Sequence, residues 1–189
     1  MSTSAVADPR TKTSARKLAR IAGVLYVINT VTSLYAFFGP GGRLALVSGL
    51  VATAAYIAIT GIFYVLFKVV NSRLSLIAAG FGMAGNLASV LAYLHRMPGN
   101  INVLIFFGFY CLLIGYLIVR SEFLPSVLGA LMILSGVGYV TFLWPRLGNS
   151  LIPWNYIPGA LGEWSLTIWL LVKGLDQQKW ERQSTASQE

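Results

Sequence analysis

Residues 44–67 have the sequence LALVSGLVATAAYIAITGIFYVLF, which contains no charged side chain. A helix that crosses the hydrocarbon core of a bilayer, about 30 Å thick, needs roughly 20 mainly apolar residues. This segment meets that length, and it is bounded by Arg43 on one side and Lys68 on the other. The segment therefore predicts a transmembrane helix. The other segments of the chain are compared with its length and composition.

Five further segments have a similar length and composition. The six predicted spans are approximately residues 21–38, 44–67, 74–94, 101–119, 123–143 and 156–172. Turns rich in glycine, proline or charge separate them, and the longest is residues 144–155. We therefore predict an all-α integral membrane bundle of six transmembrane helices over residues 20–174. Residues 1–19 are expected to be a disordered cytoplasmic tail, and residues 175–189 a polar, frayed cytoplasmic tail.

The overall composition supports the membrane assignment and excludes several chemistries. The chain has 189 residues, of which 56% are hydrophobic and 11% charged, and its mean hydropathy is +0.70. A soluble domain has about a quarter of its residues charged, so this chain has too few polar residues to cover a water-soluble globule. One cysteine, Cys111, and one histidine, His95, cannot form a disulfide framework or a zinc site. We predict no metal and no cofactor.

The distribution of lysine and arginine predicts the orientation in the membrane. With the N-terminus inside, the cytoplasmic segments hold eleven of the 14 basic residues, and only Arg43, Arg96 and Arg146 lie outside. The eleven are Arg10, Lys12, Arg16, Lys17, Arg20, Lys68, Arg73, Arg120, Lys173, Lys179 and Arg182. Because short cytoplasmic loops are enriched in basic residues, both termini are predicted in the cytoplasm of a plasma-membrane protein. The net charge of +8 is then assigned to contacts with the lipid bilayer, not with nucleic acid.

Two stretches of the sequence point to a family. One is FFGFYCLLIGYLIVRSEFLP at residues 106–125, followed by Leu128-Gly129, and the other is Gly162-Glu163 followed by WLLVKG at residues 169–174. With RIAGVLY at residues 20–26 and the Val70-Asn71 loop, they resemble the bacterial multi-pass membrane family catalogued as domain of unknown function 4386. The turns after the first and third helices are shorter than is usual there. The resemblance implies a bacterial membrane protein without an established activity.

Glu163 is the one acidic residue inside a predicted span, about 10 Å below the outer surface. A charged carboxylate at that depth costs about 2.5–3.5 kcal/mol on insertion scales. The group can stay protonated, since burial favours the neutral form, or it can pair with a cation or line a wet cavity. Glu163 is therefore our candidate acid or base. The alternative is a structural residue that hydrogen-bonds to a neighbouring helix, and both readings stay open.

Polar residues at helical spacing on other spans are candidates to face Glu163. Counting depth from the helix ends predicts a polar cavity in the outer half of the bundle, with Arg96 as a counter-charge. The predicted ligand-binding residues are Asn29, Ser33, Thr53, Tyr56, Asn86, Tyr93, Tyr139 and Thr167. The alternative is that these faces, rich in small residues, only pack closely.

Three functions are compatible with this sequence. The preferred hypothesis is a protein that binds or moves a lipophilic or cationic small molecule, with Glu163 as proton acceptor or counter-ion. The second is a membrane-embedded enzyme, such as a cyclase or isomerase, that uses Glu163 as general acid or base on an isoprenoid-like substrate. The third is an accessory or scaffold subunit. The sequence does not decide between enzyme and non-enzyme, nor does it give the oligomeric state.

Overall fold

The computed structural model of the chain describes residues 14–94 and 102–187, and within them the fold is all α-helical. The helices are α1 (Ala15–Phe38), α2 (Gly42–Phe67), α3 (Ser72–Tyr93), α4 (Leu104–Arg120), α5 (Ser126–Val140), α6 (Pro145–Ser150), α7 (Ile157–Val172) and α8 (Gln177–Ala186). A single 3-10 turn, Thr141–Leu143, extends α5. The predicted all-α fold is confirmed for these residues.

The six long helices form a closed ring. Each packs against its neighbour in chain order from α1 through α5 to α7, and α7 packs back against α1. The short turns make successive helices antiparallel neighbours, as in other up-and-down bundles. The start of α1, the turn after α2, the turn after α4 and the end of α7 therefore lie at the same end.

We call this end the basic end, because it carries nine of the described lysine and arginine residues. They are Arg16, Lys17, Arg20, Lys68, Arg73, Arg120, Lys173, Lys179 and Arg182. The opposite end, with the α1–α2 turn and α6, carries Arg43 and Arg146 among the described residues. The up-and-down order of the helices thus reproduces the charge asymmetry on which the predicted orientation depends.

Helix length and surface composition are those of a membrane protein. Helices α1, α2, α3 and α5 with its 3-10 extension are long and apolar enough to cross a membrane, while α4 and α7 are shorter apolar helices. Large apolar side chains such as Val31, Phe37, Leu76, Val127 and Ile168 are more than half exposed on the outside of the bundle. An apolar surface of this extent is not tolerated in water, and it marks contact with lipid or protein.

The predicted spans differ from the helices mainly at their ends. Helix α1 begins at Ala15 rather than at residue 21, and α4 begins at Leu104 rather than at residue 101. Within the predicted loop 144–155, Pro145 begins the short helix α6. Of the predicted N-terminal tail, residues 1–13 lie outside the described residues.

The C-terminal segment differs most from its prediction, because it contains an ordered helix instead of a frayed tail. Asp176 caps α8 by accepting hydrogen bonds from the backbone of Gln178 and Lys179. The Trp180 indole nitrogen donates to the Leu66 carbonyl oxygen at 3.0 Å. The cap and this long-range bond hold α8 across the basic end of the ring.

Candidate functional site

Glu163 lies on the inward face of α7. The buried residues of this helix are Gly159, Gly162, Leu166, Thr167 and Leu170. Since residues four apart share a helix face, Glu163 lies between buried Gly159 and buried Thr167. Glu163 itself is only partly buried. Part of the Glu163 surface therefore stays accessible, while the cavities of about 550 Å³ and 350 Å³ in the described structure lie toward the other end of α7 and are not lined by it.

The contact of the Glu163 carboxyl group is with Cys111 of α4. The Cys111 thiol, which is fully buried, points at Glu163 Oε1 with a sulfur–oxygen distance of 4.0 Å. A thiol is a weak donor, so this contact stabilises the carboxyl group only slightly. Cys111 is thus a buried residue of α4 that also faces the candidate site.

Three buried tyrosines surround the same region. Tyr26 of α1 and Tyr110 of α4 are 0% exposed, and Tyr56 of α2 lies between them, with ring centroids 5.9 Å and 5.8 Å away in edge-to-face geometry. All three lie close enough to Glu163 to interact with it electrostatically. The rings thus form an aromatic cluster beside the carboxyl group, near the middle of their helices.

The hydroxyl groups of this cluster are incompletely hydrogen-bonded. Within the described residues, Tyr26 Oη, Tyr56 Oη and Tyr110 Oη are buried without a hydrogen bond of good geometry, although Tyr26 lies next to Tyr56 and Tyr110 lies next to Thr60. Leaving a buried polar group without a partner costs about 1–3 kcal/mol, and natural proteins have few such groups. Three incompletely bonded hydroxyl groups near one carboxyl group form a polar cluster inside the apolar bundle.

No basic side chain in the described part of the chain balances Glu163. The carboxyl group is removed from water, and in the described residues no lysine or arginine lies close enough to neutralise its charge. The predicted counter-charge Arg96 lies outside the described residues, as does His95. In the described structure, the site therefore combines an acid, a thiol and phenol groups.

Of the predicted ligand-binding residues, the structure brings Tyr56 and Tyr139 near Glu163. The Tyr139 ring packs directly over Gly159, one turn before Glu163. Thr167 is also adjacent, but its hydroxyl donates to the Glu163 backbone oxygen at 2.7 Å. The Thr167 hydroxyl is thus occupied within its own helix.

The other predicted residues pack within or between α1, α2 and α3. In the described structure they make no hydrogen bond to Glu163. Asn29 donates across to the Ala52 carbonyl oxygen, while Thr53 and Asn86 donate to carbonyl oxygens of their own helices. Tyr93 packs on Gly49, and Ser33 is partly buried. Asn86 keeps one buried oxygen without a partner. The structure therefore brings together only part of the predicted set.

The sequence prediction missed Tyr110 and did not include Tyr26 among the ligand-binding residues. Tyr26 carried a signal, because it falls on the same polar stripe of α1 as Asn29 and Ser33. Tyr110 lies in an uninterrupted apolar run. The Tyr110 ring packs against Gly82 of α3. A Cβ atom at position 82 would lie 3.2 Å from this ring, so the glycine makes room for it.

Comparison with known proteins agrees with the resemblance seen in the sequence. Residues 87–174 match the family described as "Domain of unknown function (DUF4386)". This DUF4386 region contains α4, α5 and α7, and with them Tyr110, Cys111 and Glu163. The resemblance is confirmed over that region, and the family description gives it no activity.

A relative and the solved structures add little about function. An uncharacterized protein of Archaeoglobus fulgidus is 26% identical over 117 residues, which cover 59% of this chain and 72% of that protein. No solved structure matches this chain. The function of the DUF4386 region must therefore be argued from its own residues.

Proposed function

We propose that this protein is a six-span plasma-membrane protein that binds a lipophilic cation at Glu163, with both termini in the cytoplasm. One observation carries the proposal: in the described residues, a carboxyl group on the packed side of α7 lies near three buried tyrosines whose hydroxyl groups make no hydrogen bond of good geometry. In the described residues no lysine or arginine neutralises the carboxylate. A cationic ligand would supply the missing charge.

The aromatic cluster suits such a ligand. A cation attracted to tyrosine ring faces gains about 0.5–2 kcal/mol or more once it is removed from water. Tyr26, Tyr56 and Tyr110 offer rings, and their hydroxyl oxygens can accept hydrogen bonds. In the empty site Glu163 would hold a proton, because an isolated carboxylate is costly at this depth. Binding would then exchange that proton for the cation.

Packing between α1 and α7 supports entry from the bilayer. All buried residues of α1 lie between Ala15 and Tyr26, so its second half has none. The contacts between α1 and α7, such as Gly23 against Leu171, lie toward the basic end. Helices α1 and α7 are therefore less closely packed from Tyr26 to the end of the bundle opposite the basic end. A ligand dissolved in the membrane would approach Glu163 between them there.

A thermal-shift experiment with tetraphenylphosphonium as the probe tests the proposal. At a probe concentration 100 times its Kd, binding would stabilise the purified protein by about 2.7 kcal/mol and raise its melting temperature. Glu163→Gln should abolish this rise. The matched control is Glu122→Gln, which changes an exposed carboxyl group at the basic end and should keep it. No rise for the unchanged protein, or an equal rise for Glu163→Gln, would refute the proposal.

A membrane-embedded enzyme is the second candidate, favoured by the Cys111 thiol at 4.0 Å from Glu163. A protonated Glu163 in an aromatic cluster would donate a proton to an isoprenoid-like substrate, and a neighbouring group would have to accept one later. Among the described residues no basic partner for this return step lies at Glu163. Conversion of such a substrate by the purified protein, lost in Glu163→Gln, would favour the enzyme over simple binding.

A further inference from the structure

A second candidate site lies at the basic end, away from Glu163. An open cavity of about 550 Å³ lies between the start of α1, the end of α7 and the start of α8. Arg16, Lys173, Asp176, Trp169 and Phe123 are among its lining residues. It is therefore walled by both charged and aromatic side chains where the bundle ends.

The charges in this cavity favour an anion. Arg16 Nε donates to the Leu175 carbonyl oxygen at 3.1 Å, which orients the guanidinium, and within the described residues its terminal nitrogens make no hydrogen bond. Lys173 Nζ lies 4.4 Å from the centroid of the Trp169 ring. The Asp176 carboxylate accepts the capping bonds of α8 and is thereby partly neutralised. The cavity lining thus contains two cations and one carboxylate, and that carboxylate already accepts the capping bonds of α8.

An apolar groove continues from this cavity along α7. It has a volume of about 350 Å³ and is lined by Ser165, Ile168, Trp169, Val172 and Lys173. Trp169 and Lys173 line both spaces. Ile168 and Val172 are more than 60% exposed on the outer face of the helix. The polar cavity and the apolar groove therefore lie side by side, with Trp169 and Lys173 between them.

We propose that the cavity and groove together bind one anionic phospholipid. Its phosphate would contact Arg16 and Lys173, and one acyl chain would lie along the groove beside Ile168 and Val172. Trp169, at the junction, would lie at the level of the lipid headgroups, where tryptophan is enriched. Basic pockets between helices on the cytoplasmic side of a bundle are suited to anionic headgroups. This site uses the outer face of α7, so it does not depend on the function of Glu163.

Melting temperatures in mixed micelles test this site. Phosphatidylglycerol should raise the melting temperature of the full chain more than phosphatidylcholine does. Lys173→Gln combined with Arg16→Gln should lose most of that difference; because the Arg16 change also removes the bond to Leu175, the melting temperature of the variant in phosphatidylcholine serves as its own baseline. The matched control is Arg146→Gln at the opposite end, which removes one cation and should keep the difference. Lys173→Gln alone, which breaks no side-chain hydrogen bond within the described residues, should reduce the difference between the two lipids partly.

Two further arms separate a lipid from a free anion. Inorganic phosphate or glycerol phosphate at the same concentration should give little stabilisation, because neither has an acyl chain for the groove. If either stabilises the protein as much as phosphatidylglycerol, the site binds an anion and the lipid proposal is wrong. Equal loss in Arg146→Gln and in the double variant would show a general charge effect and would also overturn it.

Discussion

At the residue scale, the contacts of Glu163 weigh against a purely structural role. A structural carboxyl group at membrane depth needs a good hydrogen bond across to another helix, because its insertion costs about 2.5–3.5 kcal/mol. In the described residues the contact across the helices is the Cys111 thiol, at a sulfur–oxygen distance of 4.0 Å. Such a weak contact does not offset that cost. The environment of Glu163 is therefore better suited to a partner that comes from outside the chain.

The buried hydroxyl of Tyr56 provides a residue-scale prediction. Tyr56→Phe removes a hydroxyl that makes no hydrogen bond of good geometry in the described residues and lies next to Tyr26, and it keeps the ring, so the free energy of unfolding should change by no more than about 1 kcal/mol. Stabilisation by tetraphenylphosphonium should fall, because an acceptor at the proposed site is lost. Thermal melts with and without the probe measure both effects.

Tyr116→Phe is the control for that substitution, because Tyr116 is 46% exposed on the same helix as Tyr110. Its two melting temperatures should match those of the original protein. A large drop for Tyr56→Phe without the probe would mean that the hydroxyl already has a partner inside the folded chain. The proposed role of the tyrosine cluster would then be contradicted.

The sequence predicted only part of this site, because helical periodicity describes one helix at a time. Glu163 was found from its depth in an apolar span, and Tyr56 and Tyr139 from their polar stripes. Periodicity shows which residues share a face of one helix, but not which faces meet. Tyr110 and Cys111 therefore could not be paired with Glu163 from the sequence, and Asn29 and Tyr93 were assigned to it although they pack elsewhere.

At the element scale, the pair α4 and α5 gives a physical reason for the most family-like stretch of the sequence. Gly115 of α4 faces Gly129 of α5, and Gly108 faces Gly136, so two small contacts lie two turns apart on each helix. A Cβ at Gly115 would lie 2.7 Å from the Gly129 carbonyl oxygen. The glycines thus let two backbones approach closely, as small residues do in membrane bundles. This packing holds Cys111 against α7.

Gly115→Ala should accordingly destabilise the protein. The added methyl group would meet the backbone of α5 and force the helices apart, at a cost of about 1–3 kcal/mol. Gly61→Ala is the control, since a Cβ there has nothing within 4 Å and alanine favours the helix. Denaturation in detergent should show a lower midpoint for the first variant and an unchanged or higher one for the second. Equal midpoints would mean that α4 and α5 are not in close contact.

Helix α8 shows where element prediction from sequence fails. Residues 177–186 have no apolar stripe, and their composition alone is that of a solvated tail. The helix is held by contacts distant in the sequence, from Trp180 to the Leu66 carbonyl oxygen and from the Gln177 side chain to Ser14 and the Arg16 backbone. The predicted spans, by contrast, largely coincide with helices because length and apolarity are local properties.

At the scale of the whole molecule, we propose six spans, although four of the described helices are long and apolar enough to cross a membrane by themselves. Helices α4 and α7 have 17 and 16 residues, which corresponds to about 24–26 Å at the helical rise. That is slightly shorter than the hydrocarbon core, a mismatch that local thinning of the bilayer accommodates. Helix α4 packs against α3 and α5, and α7 packs against α5 and α1, so the two shorter helices complete the ring. Removing either from the membrane would open the ring.

The ring also predicts which cysteines a membrane-impermeant maleimide reaches in intact cells. In a Cys111→Ala background, Ser150→Cys lies exposed at the end with few basic residues, and Thr185→Cys lies exposed on α8 at the basic end. Because basic residues stay in the cytoplasm, the first should react in intact cells and the second only after permeabilisation. A five-span chain would place the two tails on opposite sides. Labelling of Thr185→Cys in intact cells would therefore contradict both the cytoplasmic C-terminus and the inner-leaflet position of the phospholipid site.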